Sequence, residues 1–270
     1  MGSVAPFEHN DQLKSVLVTG GNRGIGLETC SELARRGFHV YLTSRGADGA
    51  QQAARLSKDG AVVEHLPLDV ANATSIESLA HTLRERNVQL DILINNAGVA
   101  LDGFNAGVAR QTIDANFLGA MNVTDALLPL IRDGGTVVMV SSMMGEVSAV
   151  SRELQRRFMS DTLTRKELLA LAEEFVRDVR DGKHTQRGWP SSAYRVSKIS
   201  MNGLTRVLAN ELRARRIRVN SVCPGWVKSD MGGRGAPRTL EQGASSVLMT
   251  ALATDNVSGG FFRDGRALAW

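Results

Sequence analysis

The run Ser15-Val16-Leu17-Val18-Thr19-Gly20-Gly21-Asn22-Arg23-Gly24-Ile25-Gly26 passes from a short apolar segment straight into a glycine-rich turn. Its first five residues have the length and β-branched content of a buried strand. The glycines permit a sharp bend and a close approach of backbone to a ligand, and the following helix offers free amides and a positive dipole end to a phosphate. The spacing is G-x-x-x-G-x-G, with Gly20, Gly24 and Gly26 at its fixed points. Strand, glycine turn and helix in this order predict the opening of a βαβ unit that receives a pyrophosphate.

Outward from that turn the pattern repeats. Apolar runs at 38–43, 61–66, 91–94, 136–141 and 217–222 read as further strands, and helical segments at 24–36, 48–58, 74–86, 106–131 and 192–215 lie between them. Thr74 with Glu77, and Thr239 with Gln242, have the spacing of capping boxes. A strand over 259–263 before an Asp264-Gly265 turn completes a sheet of about seven parallel strands with helices on both faces. The expected fold class is α/β: a single doubly wound, Rossmann-type dinucleotide-binding domain over 15–270 after a flexible segment over 1–14. The alternation pauses between 146 and 190, where helical runs at 152–158 and 164–181 form an insertion. Leu168, Leu171, Ala172, Phe175, Val176 and Val179 recur at helical spacing there, so one face must be buried.

Composition narrows the function. The chain is 43% hydrophobic and 22% charged, an ordinary soluble balance for 270 residues. Its net charge of +4 is spread among interleaved acids, and the cluster Arg213, Arg215, Arg216 and Arg218 suits a solvated helix end, so no nucleic-acid partner is expected. Cys30 and Cys223 are too few for a disulfide framework, and five scattered histidines lack ligand spacing, so no metal is expected. No apolar run approaches bilayer length and the polar start lacks signal-peptide features, so the expected placement is cytoplasmic, without a membrane partner.

The chemistry lies in Tyr194 and Lys198. Four residues apart, they share one helix face, where the ammonium is expected to favour ionisation of the phenol and so fit it for general acid catalysis. After the second strand, where an acid would bind a ribose hydroxyl, the chain has Thr43-Ser44-Arg45, and Arg23 projects from the glycine turn. Two guanidinium groups there predict NADPH/NADP+ as the cofactor.

Further motifs follow in order: Asp69-Val70, Asn95-Asn96-Ala97-Gly98, Asn116, Ser141-Ser142 and Pro224-Gly225-Trp226-Val227. With the glycine turn and the Tyr194–Lys198 pair, they make the chain resemble the short-chain dehydrogenase/reductase family from Ser15 to its C-terminus. The resemblance implies a catalytic set of Ser142, Tyr194, Lys198 and Asn116, with Ser141 the alternative serine. It implies cofactor contacts at Gly20, Asn22, Arg23, Gly24, Ile25, Gly26, Ser44, Arg45, Asp69, Val70, Asn95, Ala97 and Gly98, and at Tyr194, Lys198, Pro224, Gly225, Val227 and Ser229. Ser142 precedes Tyr194 by 52 residues, far more than is usual in the family. That insertion is similar to the one in the monomeric carbonyl reductases and related plant reductases of terpenoid and alkaloid ketones, which implies a monomer.

The implied reaction is hydride transfer to the carbonyl carbon of a hydrophobic small molecule, with Tyr194 protonating the oxygen, Ser142 stabilising it and Asn116 positioning a relay water. Met143, Met144, Trp189, Trp226 and Met231 flank the expected site, as pocket walls or as core. Two other readings stay open: an NADPH sensor without turnover, and a reductase of an activated carbon–carbon double bond.

Overall fold

In a computed structural model, which describes residues 13–270, the first apolar run is β1 (Ser15–Thr19) and the glycine turn leads into α1 (Gly24–Arg35). The alternation continues through β2 (His39–Ser44), α2 (Asp48–Leu56), β3 (Val62–Pro67), α3 (Ala73–Glu85) and β4 (Leu90–Asn95). Next come α4 (Ala106–Ile113), α5 (Gly119–Leu127), β5 (Ile131–Val140), α6 (Arg152–Phe158) and α7 (Arg165–Arg180). Then follow α8 (Ala193–Glu211), β6 (Arg218–Val222), α9 (Leu240–Ala251), β7 (Phe261–Arg263) and β8 (Arg266–Leu268). Most of the 1–14 segment lies outside the described residues, and Lys14 is tied down: its carbonyl accepts a hydrogen bond from His39 N at 2.9 Å.

The strand order is β3-β2-β1-β4-β5-β6-β7-β8. The seven expected strands run parallel, and an eighth, β8, pairs antiparallel with β7 beyond the Asp264-Gly265 turn. The order reverses between β1 and β4, so the loops at the carboxyl ends of these strands splay apart and leave a crevice.

Strand alternation builds two cores. Leu17, Leu93, Val137, Met139 and Val219 face α3, α5 and α8 on one side, whereas Val16, Val18, Ile94, Val138 and Val222 face Cys30, Leu33, Val247 and Leu248 of α1 and α9 on the other. Each fully buried side chain of this kind contributes about 1.5–3 kcal/mol, so both faces hold the sheet.

Two local expectations are corrected. The helix expected over 106–131 is interrupted by one wide π turn at Asp114–Leu118, which buries Asn116 and Phe117, and it ends in a 3-10 turn containing Pro129. The cap of α3 is Asn72, whose side chain accepts from Ser75 N at 3.1 Å, in place of Thr74. Asn and Thr are both good caps, and the extended backbone of Asn72 decides between them. Capping boxes do form at Thr164 with Glu167 and at Thr239 with Gln242.

The insertion docks through α7. Leu168, Leu171, Ala172 and Phe175 are buried as the helical spacing predicts. Arg165 bridges Asp125 of α5 and Glu211 of α8, and Arg110 of α4 pairs with Glu173 at 2.6 Å. From α8, Arg206 donates to the carbonyls of Phe158 (2.9 Å) and Met159 (3.1 Å), satisfying acceptors at the open end of α6.

Candidate active site

At the switch point, the turn after β1 is locked to the loop after β4. Asn96 Nδ2 donates to the carbonyls of Thr19 (2.8 Å) and Gly20 (3.1 Å), and Thr19 Oγ1 accepts from the amides of Asn96 and Ala97 (2.9 Å each). A Cβ at Gly26 would lie 2.3 Å from Gly20 O and 2.4 Å from Asn96 Nδ2, so no side chain fits where the turn closes. Arg23, at the N-cap of α1, makes no side-chain cap and the first turn carries no acid, which leaves positive amide ends facing the crevice. The Asn95-Asn96-Ala97-Gly98 motif by itself assigns Asn96 no role. Two polar side chains flanking a glycine turn were the sequence signal for its bracing role.

The remaining cofactor candidates have distinct surroundings. Arg23 pairs with Asp230 at 2.8 Å with both side chains exposed, and Arg45 is exposed. Ser44 is buried, its hydroxyl donating to Gly46 O and bonded to His65, and its carbonyl accepts from Leu68 N at 2.9 Å. Asn22 Nδ2 donates to Asp48 at 2.7 Å. Asp69 accepts from Ala71 N at 3.0 Å, and Val70 packs against Gly119. Asn95 turns inward and donates to Thr124 Oγ1 at 2.9 Å. Ala97 and Gly98 continue the β4 loop, with Gly98 beside Asn116 and the Lys198 Nζ.

Helix α8, capped by Ser192, carries Tyr194 and Lys198 toward the ends of β5 and β6. Lys198 Nζ donates to Val140 O at 2.8 Å and stands 5.6 Å from the centroid of the Tyr194 ring. Burial pushes the Lys198 ammonium down to about 8. Burial pushes the Tyr194 phenol up, opposed by a hydrogen bond from Ser142. The expectation that Lys198 lowers the phenol's pKa is therefore corrected, since desolvation dominates in this dry corner. The interaction with Tyr194 singles out Ser142 over Ser141, whose hydroxyl is buried without a partner. Asn116 is fully buried: its Oδ1 accepts from Val99 N (2.7 Å) and its Nδ2 donates to Val99 O (2.9 Å) and Ser197 Oγ (3.0 Å). Its amide thus clamps the β4 loop to α8, directly beside the reactive pair.

Beyond β6, the amide of Gly225, which follows Pro224, donates to Cys223 Sγ at 3.3 Å, and Val227 is buried in an isolated bridge to Arg238. Ser229 Oγ accepts from Gly232 N, folding the loop back on itself. Trp226 (60%) and Met231 (51%) are exposed, and Met144 is partly so. Met143, which opens the 3-10 turn capped by Ser142, is half-buried. Trp189 is a correction: it is 2% exposed, edge-on to Phe158 and tilted against Phe175, with Nε1 donating to Asp178 at 3.0 Å. An indole whose N–H has a buried partner belongs to the insertion's own core.

Residues 14–153 match the short chain dehydrogenase family, and residues 183–257 match a family described as enoyl-(acyl carrier protein) reductase. The chain belongs to the short-chain dehydrogenase family. Carbonyl reductase (NADPH) 1 of Homo sapiens is 40% identical over 255 residues, covering 90% of this chain and 92% of that protein. Its counterpart in Sus scrofa is 38% identical over 269 residues, covering 94% and 93%. Salutaridine reductase from Papaver somniferum superposes with a TM-score of 0.85 at 31% identity, over 93% of this chain and 99% of that one. No group of metal-ligating side chains occurs among the described residues, and no helix there is long and apolar enough to cross a membrane.

Proposed function

We propose that this short-chain dehydrogenase is an NADPH-dependent carbonyl reductase acting on hydrophobic ketones, aldehydes or quinones. The observation that carries the proposal is the convergence of Tyr194, Ser142 and Lys198 at the carboxyl ends of β5 and β6, beside the glycine turn. The residues present suit NADPH: Gly26 leaves a cradle that any Cβ would fill, the start of α1 is uncapped, and the exposed guanidinium groups of Arg23 and Arg45 suit an added phosphate. NADPH, when bound, supplies the hydride.

The chain's own residues do the rest. Tyr194 gives its phenolic proton to the carbonyl oxygen, and Ser142 donates a hydrogen bond that stabilises charge on that oxygen. Lys198, anchored on Val140, keeps a positive charge near the phenol. Asn116 fixes the loop and helix that carry these groups. Trp226, Met231 and Met144 form an apolar rim that excludes water from an apolar substrate. The cover that α7 places over α4 and α8 supports a monomer.

Purified protein with NADPH and a panel of aromatic ketones, quinones and enones tests this reading. Cofactor oxidation with alcohol or hydroquinone products is expected. NADPH binding without turnover on any member would establish a sensor, and saturation of enone double bonds alone would establish the enoyl-type reaction. Arg45→Glu should weaken NADPH relative to NADH by about tenfold to a hundredfold, as loss of a charged hydrogen bond implies.

A further inference from the structure

The turn that faces Tyr194 and Lys198 from β6 is held by a side chain well outside the family's motifs. Arg238 reaches that turn in three ways. Its backbone pairs with both neighbours of Val227: Arg238 N donates to Trp226 O at 3.2 Å, and Lys228 N donates to Arg238 O at 2.9 Å. The methylene stem of Arg238 fills the space under Gly225, whose φ of +83° favours glycine and whose added Cβ would lie 2.3 Å from Arg238 Cδ. Its guanidinium forks onto Asp264, with Nη1 to Oδ2 at 2.9 Å and Nη2 to Oδ1 at 2.6 Å, and Nη2 also donates to Gln242 O at 3.0 Å.

Asp264 is itself fixed to the same turn. Its amide donates to Ser246 Oγ at 2.9 Å, and the Ser246 hydroxyl, completely buried, donates to Cys223 O at 3.2 Å. A closed ring results: Cys223 to Ser246 to Asp264 to Arg238, and back to Trp226 and Lys228. Every link is a hydrogen bond, and the ring encloses the Pro224-Gly225 corner.

Packing alone is a poor account of this arginine. Its Nε is buried beneath Gly225 with no acceptor, which costs free energy that an apolar side chain of similar length would avoid. What the guanidinium adds over a methylene chain is direction: a planar fork has one docking geometry on a carboxylate, and this fixes the height of the stem under Gly225.

We propose that Arg238, aligned by Asp264, is a positioning residue that sets the Pro224–Trp226 turn against the Tyr194 side of the crevice and so governs the alignment of the carbonyl substrate. The inference rests on the carbonyl reductase reading. Arg238 touches no reacting atom and acts through Gly225 and Trp226. The brace joins the loop after β6 to α9 and to the end of β7, and α9 packs on α1 with Gly243 beside Ile25.

The test uses Arg238→Met, Asp264→Asn and the double variant, with NADPH and acetophenone, reading kcat, KM, the enantiomeric excess of the alcohol, NADPH affinity by titration, and Tm. Asp264→Asn keeps a residue that tolerates the positive φ of 51° and keeps the amide link to Ser246, so it folds even where Arg238→Met does not. Each single variant should lose about tenfold in kcat/KM with reduced enantiomeric excess, since sub-ångström misplacement of reacting groups costs on this scale. Saturating NADPH separates any loss of cofactor affinity from this loss of alignment, and the double variant should be no worse than Arg238→Met because the two act as one unit. Variants that lose Tm yet retain wild-type kcat/KM and enantiomeric excess would overturn the inference and leave a purely structural brace. A wild-type enzyme inert toward every carbonyl would sink the functional reading itself, a result distinct from indifferent variants of an active enzyme.

Discussion

Lys198 Nζ is bonded to the carbonyl of Val140 and lies over the Tyr194 ring, so the end of β5, and not the phenol, anchors the ammonium. Both groups are desolvated, and burial acts on them in opposite senses: toward neutral lysine and toward neutral phenol. Through neutral pH, Tyr194 therefore carries the proton it is to donate, and Lys198 loses its charge near pH 8.

The pH profile of reduction follows. As pH rises through about 8 the ammonium beside the phenol is neutralised, so kcat/KM for carbonyl reduction should fall above that point. This quantity reports the free enzyme's ionisations, and a profile flat to about pH 9.5 would contradict the assignment.

The same group sets a stability difference. Its pKa is depressed from 10.5 when unfolded to about 8 when folded, so the unfolded chain binds more protons between these values. The stability is fully present above about 10.5 and is lost as pH falls through about 8. Urea titrations should find wild type gaining on Lys198→Met by up to roughly 3 kcal/mol between neutral pH and the alkaline side of this window. A gap independent of pH would mean that Lys198 is not desolvated.

Gly26→Ala forces a methyl group against the Gly20 carbonyl and the Asn96 amide, both fixed by the bonds that close the turn. Overpacking of this kind costs about 1–3 kcal/mol, and the turn should open enough to abolish NADPH binding in a fluorescence titration. Retained affinity would show that the turn is not where the pyrophosphate lies.

Trp189 discriminates core from pocket. Trp189→Phe removes the indole N–H from buried Asp178, which should cost about 1–3 kcal/mol of stability in denaturant titrations. KM for ketones should remain within about twofold at temperatures where the variant is folded. A large KM change at unchanged stability would return Trp189 to the substrate pocket.

Much of this architecture was legible because it rests on short-range rules. The β1 run, the glycine turn and the i, i+4 spacing of Tyr194 and Lys198 each fix local geometry, and alternation of strand and helix fixes the order. What escaped depends on three-dimensional surroundings. Arg266–Leu268 is too short and exposed to announce a strand, and it forms only because the Asp264-Gly265 turn folds it onto β7. The π turn at Asn116 has no apolar period of its own and follows from burial of a polar side chain among Val99 and Ser197. The direction of the Tyr194 shift depends on how much water reaches the corner, which spacing along a helix does not encode.

Carbonyl reduction at this site depends most on the Tyr194 hydroxyl as the acid. Tyr194→Phe should still bind NADPH, and in a single-turnover experiment with saturating NADPH and ketone its rate of NADPH oxidation should fall by about a hundredfold to ten-thousandfold. Oxidation at the wild-type rate in that variant would contradict the account, because the proton would then be coming from elsewhere.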